Sequence, residues 1–486
     1  MTHDDMTAGA ELRRDLTPTL LIGGEPEMGE GRAAPLLDRY TGAPIADLVA
    51  ATPAQAARMV DAAWAAFRRG APGPWDRGAI LDRAALQVEA ARGDFIAIMQ
   101  AEAGFTAADA GGEVTRCVQT LRLSAEEARR LSGDVIPLEG APGQAGRTAF
   151  TLRVPLGPVL AITPFNSPLN TVCHKIAPAF AAGNPAILKP ASATPATACL
   201  LARILVGAGL PEGFLSVLLG GPAEAGLAMA DPRVRFIAFT GSTEAGRAIQ
   251  TQAGLRRTQM ELGSIAFTIL AADADLDRAL PKIVGAGYRK AGQVCTSVQI
   301  VLAHESLRAE AAARLAELVA ALPYGDPRAE GTVTGPMISR PEAERVERWI
   351  AEAEAAGAVR LAGGGREGAV VAPTLLDGIT PAMKAGCEEL FGPVVGVAPF
   401  ATLDEAIARV NATPYGLATG AFTNRLDDAF ALARRLEVGG VHINETSSSR
   451  VDLMPYGGSK DSGFGREGPH YAVREMTEER ILTLTA

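Results

Sequence analysis

A thiol, a carboxylate and a stiffened amide stand out from this sequence as groups able to do chemistry together. Cys295 lies in Ala291-Gly-Gln-Val-Cys-Thr-Ser297, a small-residue turn between a helical stretch and a strand-like one. Glycine beside a nucleophile lets reactants approach the backbone, and flanking hydroxyls suit a polar reacting centre. The bland alternative for any lone cysteine is a small buried hydrophobe. Glu261, in Gln259-Met-Glu-Leu-Gly-Ser264, sits among apolar residues. A carboxylate there raises its pKa or finds a partner, which leaves a general base and a salt-bridged structural glutamate both open. Asn166, in Thr163-Pro-Phe-Asn-Ser-Pro168, offers an amide donor on a loop held by two prolines, and a rigid donor is what an oxyanion site requires.

Two more segments could hold a ligand. Thr240-Gly-Ser-Thr-Glu-Ala-Gly246 follows a strand-like run and opens a helical one, so a helix N-terminus and the Ser242 hydroxyl would face an anion. It is neither GxGxxG nor a Walker loop, because Arg247 and Ala248 stand where Lys and Ser/Thr are needed, and such a stretch is otherwise a turn. Lys189, ahead of Pro190, closes an apolar run; it could reach cofactor hydroxyls from a strand end or be a solvated surface lysine.

The elements that would position these groups follow an α/β pattern. Alanine-rich stretches at 53–69, 78–103 and 112–131 have helical periodicity. Short apolar runs at 159–163, 185–188, 215–219 and 234–239 alternate with helices at 194–209 and 223–230, which predicts a doubly wound parallel sheet. Thr194 is the expected N-cap of the first of these helices, with Pro195 at its first position and Gly209 as its stop. A second α/β series starts near 264, with strands at 267–270, 299–303 and 394–400 and helices at 276–291 and 307–322. The segment 134–153 alternates like a hairpin around 140–146, and with the tail 481–485 it reads as strands paired across a subunit boundary.

Composition narrows the function classes. The 486 residues, 48% hydrophobic, are enough for more than one core. The 46 basic and 55 acidic side chains give a net charge of −9 without a long basic block, so nucleic acid is not an expected partner. Residues 1–15 lack the features of a secretory signal, and Gly, Pro or charge interrupts every apolar run, so a cytoplasmic chain without membrane association is expected. The five cysteines (Cys117, Cys173, Cys199, Cys295, Cys387) are odd in number and contain no CxxC pair, which argues against a disulfide framework and against a metal site.

Taken together, the motifs resemble the aldehyde dehydrogenase superfamily over nearly the whole chain. PFNSP at 164–168, LKP at 188–190, FTGST at 239–243, ELG at 261–263, GQVC at 292–295 and EELFGPV at 388–394 occur in the family's order. NATPYGL at 411–417 and MPYGGSKDSGFGRE at 454–467 complete the likeness. The resemblance implies a Rossmann-like cofactor domain (1–132 and 154–262), an α/β catalytic domain (263–470) and a small β oligomerisation arm (133–153 and 471–486). It implies an NAD- or NADP-dependent oxidation of an aldehyde to an acid, with Cys295 as nucleophile, Glu261 as base and Asn166 as oxyanion donor beside the Cys295 N–H. Lys189 and Glu389 would bind the two riboses, Ser242 the pyrophosphate, and Phe391 would lie at the nicotinamide end. The family positions Thr163, Pro164, Phe165, Ala191, Ser192, Gly221, Thr240, Gly241 and Leu262 complete the implied cofactor surface. Ser167, His174, Val294, Thr296, Ser447 and Tyr456 are the implied substrate pocket. A homodimer or homotetramer is implied as well.

The sequence departs from the family in places. Ser264, Ile265 and Ala266 follow ELG where Gly-Lys or Gly-Asn is usual. Ser192 stands where many NAD-preferring members carry an acidic residue that repels a 2′-phosphate, so NADP is an expected cofactor too. The wording of 165–175 and 292–299 is similar to the branch with lactaldehyde, sulfoacetaldehyde and phosphonoacetaldehyde dehydrogenases, yet Val294 and Ser167 bring no positive charge. A CoA-acylating relative is disfavoured by Glu261, which that branch generally lacks. A plain thiol esterase would leave LKP, TGST and EELFGPV without purpose.

Overall fold

The computed structural model describes residues 17–485, so the reading of residues 1–15 lies outside the described part. An eight-stranded sheet runs in the order Glu25–Glu27, Leu20–Ile22, Leu215–Val217, Ala186–Lys189, Val159–Ile162, Phe236–Thr240, Arg257–Glu261, Gly463–Phe464. Its five central strands are parallel. Both faces are covered, and Val159, Leu160, Ala161, Ile187 and Leu188 are fully buried, which is why these strands read as unbroken apolar runs. From Val159–Ile162 the chain builds outward first through Ala186–Lys189 and Leu215–Val217. It then returns to the other side through Phe236–Thr240 and Arg257–Glu261. That reversal opens a crevice at the carboxyl ends of Val159–Ile162 and Phe236–Thr240, where doubly wound sheets bind ligands.

The second sheet has seven strands, in the order Val359–Ala362, Thr374–Asp377, Val394–Phe400, Val298–His304, Ala266–Leu270, Ala418–Phe422, Gly440–Ile443. All are parallel except the first pair. Separate apolar clusters fill the two faces of this sheet, so each sheet has its own core.

Local signals place most helices. Pro53–Arg69 starts at Thr52, whose hydroxyl accepts from Gln55 N at 3.3 Å, with Pro53 in the first turn and Gly70 as its stop. The stretch 78–103 is two helices, Pro74–Ala90 and Arg92–Glu102, broken at Ala91 by a ψ of 14°. Thr194 occupies the cap position of Pro195–Gly207 but makes no capping bond. The buried Glu102 carboxylate takes that role from another helix, accepting from Ala196 N and Thr197 N at 2.8 Å each. A carboxylate satisfies two orphan amides and favours the helix dipole, which a threonine hydroxyl does less well.

Two further departures concern the later chain. The strand Arg147–Pro155 pairs along its length with Thr477–Thr485 of the same chain, and Val135–Ile136 lies on its other edge. Within the chain these two segments therefore pair with each other in a three-stranded sheet, with a 3-10 turn at Leu138–Gly140. Gly463–Phe464, expected with the second series, adds antiparallel to Arg257–Glu261 in the first sheet. This pairing carries the segment 454–467 to the end of the strand that bears Glu261.

Candidate active site

Cys295 precedes the central strand Val298–His304 of the second sheet and follows a tight turn, Arg289–Gly292. Lys290, Ala291 and Gly292 take successive left-handed φ values of 52°, 54° and 67°. A Cβ at Gly292 would meet Gly392 O at 2.0 Å, so this position needs glycine. The strain at Lys290 and Ala291 is held by a buried network. Lys290 Nζ pairs with Glu113 Oε1 at 2.8 Å and donates to Asn166 O at 3.0 Å, while Glu113 also accepts from Ser167 Oγ and Asn170 N. One lysine therefore ties the Cys295 turn to the Asn166 loop. The Asn166 side-chain amide itself makes no hydrogen bond within the described residues and lines the same cavity as Cys295.

The thiol meets a hydroxyl. Cys295 Sγ and Tyr456 Oη are 2.9 Å apart, and Tyr456 Oη donates to Glu261 Oε1 at 3.4 Å. The Arg450 guanidinium lies on the Tyr456 ring at 3.7 Å from its centroid and donates to Glu467 Oε2 at 3.0 Å. Glu467 Oε1 accepts from Lys175 Nζ at 3.0 Å and Thr240 Oγ1 at 3.2 Å. Burial disfavours charge on Glu467, but Lys175 and Arg450 hold its carboxyl well below the usual range. Glu261 has no cation in contact. Burial, then repulsion from Glu467, pushes it up to about 7. Burial and the nearby Glu261 charge push the Cys295 thiol up as well.

One continuous cavity of about 1120 Å³ runs from this centre to the crevice of the first sheet. Its far end carries groups whose bonding is incomplete within the protein. Lys189 is buried, makes no hydrogen bond or ion pair among the described residues, and is pushed down to about 8 by burial despite Glu224 nearby. Glu389 spends Oε1 on Ser264 N at 2.9 Å, leaves Oε2 free, and is pushed up to about 7 by burial. Phe391, at a left-handed φ of 49°, packs edge-on against Phe165 with centroids 5.9 Å apart, joining the two sheets across the cavity. A Cβ on Gly241 would meet the Phe239 ring at 2.5 Å, so the turn that leads into the helix Thr243–Ala253 needs glycine there. An unpartnered ammonium, a half-free carboxylate and a helix N-terminus lining one long cavity fit a dinucleotide: hydroxyls for Lys189 and Glu389, and phosphates for the helix.

The family model described as "Aldehyde dehydrogenase family" matches residues 27–482. This chain belongs to the aldehyde dehydrogenase family. The 3-sulfolactaldehyde dehydrogenase of Priestia megaterium is 44% identical over 96% of this chain and 97% of its own length. Aspartate-semialdehyde dehydrogenase 1 of Pseudomonas canavaninivorans is 42% identical over 84% and 87%. Among solved structures, aldehyde dehydrogenase 21 of Physcomitrella patens, in complex with the reaction product succinate, superposes with a TM-score of 0.94 at 36% identity, covering 96% of this chain and 98% of that one. The fold is the aldehyde dehydrogenase fold, and the chain is an NAD(P)-dependent oxidoreductase acting on aldehydes.

Within this aldehyde dehydrogenase, the sequence-derived site residues fall into three groups. Cys295, Glu261, Asn166, Ser167, Val294, Thr296 and Tyr456 line one end of the cavity. Thr163, Pro164, Phe165, Lys189, Ala191 and Ser192 line it from one side of the crevice, and Thr240, Gly241, Ser242, Leu262, Glu389 and Phe391 from the other. Gly221, His174 and Ser447 are not on its wall. Gly221 is the N-cap of Pro222–Ala230, and its neighbour Pro222 faces the cavity instead. Ser447 is buried and donates to Thr296 O at 2.9 Å, while the next residue, Ser448, reaches the wall. His174 is fully buried behind the site, where burial keeps its ring neutral, and Nε2 donates to Asp452 Oδ1 at 2.8 Å. Within the cofactor wall, the Ser242 hydroxyl accepts from Ala245 N at 3.3 Å, and Ser192 Oγ donates to Gly220 O at 2.6 Å.

Two arginines on the substrate side escaped the sequence reading. Arg116, from the helix Ala107–Arg130, and Arg289, the first residue of the Arg289–Gly292 turn, both line the cavity near Cys295. Arg116 is paired with Asp452 at 2.7 Å. Arg289 donates to Ser448 Oγ at 2.9 Å and has no carboxylate partner among the described residues. A cation in the Cys295 segment itself is a signal the sequence does carry for Arg289; for Arg116, far away along the chain, spacing carries none.

Proposed function

We propose that this enzyme oxidises a small anionic aldehyde, carrying a carboxylate or sulfonate a few carbons from its carbonyl, to the acid. The observation that carries this reading is Arg289, a guanidinium on the wall of the cavity that Cys295 also lines, with only a serine hydroxyl for a partner among the described residues. Planar, forked guanidinium groups suit carboxylate and sulfonate oxygens. Arg116 adds positive potential on the same side, and the names of the relatives above include sulfonated and carboxylated aldehydes. The uncharged Val294 and Ser167 leave the anion to the arginines.

In the proposed mechanism Cys295 Sγ bonds to the carbonyl carbon, and the oxygen that gains charge lies where the Asn166 amide and the Cys295 N–H can donate to it. The loss of one such donor costs on the order of 100- to 1000-fold in rate. A bound nicotinamide supplies the hydride acceptor. Lys189 and Glu389 would hold the cofactor's ribose hydroxyls, and Ser242 would stand at its phosphates. The resulting thioester on Cys295 is hydrolysed by a water whose proton Glu261 accepts; a carboxylate at about 7 is matched to that task near neutral pH. Ser192, without charge, leaves room for a 2′-phosphate, so NADP supports turnover.

The chain is further proposed to work in the cytoplasm as a homo-oligomer. Val135, Leu152, Ile481 and Leu484 expose apolar side chains on the small sheet, which a second copy would cover. Among the described residues no helix is long and apolar enough to cross a membrane.

The test compares succinic semialdehyde with butanal, and sulfoacetaldehyde with propanal, in wild type and Arg289→Met. Wild type should favour the anionic member of each pair. The variant should raise KM for the anionic aldehydes by about 10- to 100-fold and leave the neutral ones nearly unchanged. Equal losses on both, or a wild-type preference for neutral aldehydes, would remove the assignment.

A further inference from the structure

The mechanism above uses Cys295 and Glu261, which also approach each other directly, but leaves the hydroxyl that touches both without a task. Tyr456 Oη is 2.9 Å from Cys295 Sγ and 3.4 Å from Glu261 Oε1, so it is within hydrogen-bond reach of the nucleophile and the base at once. When its hydroxyl donates to the carboxylate, its oxygen lone pair faces the thiol, and the thiol S–H donates to it. The three groups then form one directed chain, S–H to O–H to carboxylate.

The surroundings favour that direction. Arg450 stacks on the Tyr456 ring at 3.7 Å and is itself anchored by Glu467, so a fixed cation polarises the phenol. The segment carrying Tyr456 is pinned by bonds between Tyr456 N and Glu467 O, 3.1 Å, and between Glu467 N and Tyr456 O, 2.7 Å. A mobile phenol could not serve both neighbours; this one is clamped by its ring and by its backbone.

We propose that the Tyr456 hydroxyl relays the Cys295 thiol proton to Glu261 as the thiol attacks, making Tyr456 a catalytic residue of the acylation half of the reaction. The balance is simple. The S–H bond breaks and its proton passes to Tyr456 Oη, while the original phenolic proton passes to Glu261 Oε1. The sulfur pair forms the S–C bond, and the carbonyl π pair becomes the charge on the substrate oxygen. Tyr456 ends neutral as it began, and Glu261 ends as the acid, which must return its proton to solvent before it can assist hydrolysis. No oxidant enters this step.

The inference rests on Cys295 being the nucleophile of the proposed mechanism, and the experiment separates the two. The probe is iodoacetamide, which alkylates the thiol of the enzyme without cofactor, followed from pH 6 to 10. The titratable and charged groups facing the thiol are Tyr456, Glu261 and Arg450, with Glu467, Lys175 and His174 behind them. Y456F keeps the ring and its contact with Arg450 while removing the hydroxyl. A hydrogen bond to a charged group is worth about one to two pH units, so alkylation of Cys295 in Y456F at pH 8 should be about 10- to 100-fold slower, with the profile displaced upward. The rate of reduced-nicotinamide formation in the first turnover should fall as well, with the KM for cofactor unchanged.

A rate within about twofold of wild type would mean that the proton reaches Glu261 directly, and would overturn the relay. If Y456F does not fold, wild-type enzyme grown with 3-fluorotyrosine at its six tyrosines supplies the second arm. A more acidic phenol should move the alkylation profile to lower pH, and an unmoved profile overturns the proposal. If alkylated wild-type enzyme keeps its activity, the assignment of Cys295 fails and takes the relay with it.

Discussion

Glu261 and Glu467 are both buried, lie close enough to repel each other, and sit at the junction of the same two chain segments, yet they do opposite things. Glu467 is surrounded by Lys175, Arg450 and Thr240 and stays ionised. Glu261 has the Tyr456 phenol and the Cys295 thiol, not a cation, as hydrogen-bond partners among the described residues, and is pushed up to about 7. The first carboxylate is a structural anion whose charge is used up by its neighbours. The second is left with affinity for a proton near neutral pH. The ionised one helps to make the other basic, since its charge is part of what raises Glu261.

The largest effect that would sharpen this contrast is on turnover. Glu261→Gln should lose about 10²- to 10⁴-fold in steady-state formation of reduced nicotinamide while remaining folded. Loss of the fold, or retention of turnover, would make Glu261 a second structural group. Next in size, Glu467→Gln leaves two buried cations short of their counter-charge and should cost about 3 to 5 kcal/mol, read from urea midpoints. A variant as stable as wild type would break the comparison from the other side.

The pH dependence of stability should also split the pair, with a somewhat smaller effect. The proton held by Glu261 stabilises the fold fully below its unfolded value of 4.5, and this is lost as pH rises through about 7. Glu261→Gln should therefore gain on wild type between pH 5 and pH 8, by about 1 to 3 kcal/mol in thermal or urea unfolding. Glu467 has the reverse sign. Its contribution is present above its unfolded 4.5 and is lost only as pH falls towards its depressed folded value. No gain for the Glu261 variant at pH 8 would contradict the assignment.

The smallest prediction concerns Glu102, which burial also pushes up to about 7. Its oxygens accept from Ala196 N, Thr197 N and Thr197 Oγ1, and it is not on the cavity wall. Glu102→Gln should cost about 1 kcal/mol of stability and leave kcat unchanged. A raised carboxyl becomes a base only where an acceptor oxygen is left over and a cavity reaches it; a fall in kcat here would deny that rule.

The sequence showed the groups that must be adjacent in the chain and missed those brought together by pairing. Apolar runs such as 159–163 announced buried parallel strands, because both faces of such strands need apolar residues. Thr52-Pro53 and Gly70 framed a helix through caps that are local. Thr194 misled, because its helix is capped by Glu102 from a distance, and no local pattern encodes that. His174 looked like a pocket residue by its place near Asn166 but is turned beneath the wall towards Asp452. Tyr456 was legible as a pocket position; its hydroxyl contacts with Cys295 and Glu261 were not, since they depend on Gly463–Phe464 joining the first sheet.

That last strand pairing also sets an order of assembly. A growing chain that has reached residue 453 already contains Cys295, Asn166 and every central strand of both sheets, but Arg257–Glu261 is still an open edge. Neither Tyr456 nor Glu467 yet exists beside it. Tyr456 and Glu467 thus join Cys295, Glu261, Asn166 and Arg450 only after the central strands of both sheets have been made. A chain cut at residue 453 would leave the Cys295 thiol without its phenol neighbour and Arg450 without its carboxylate.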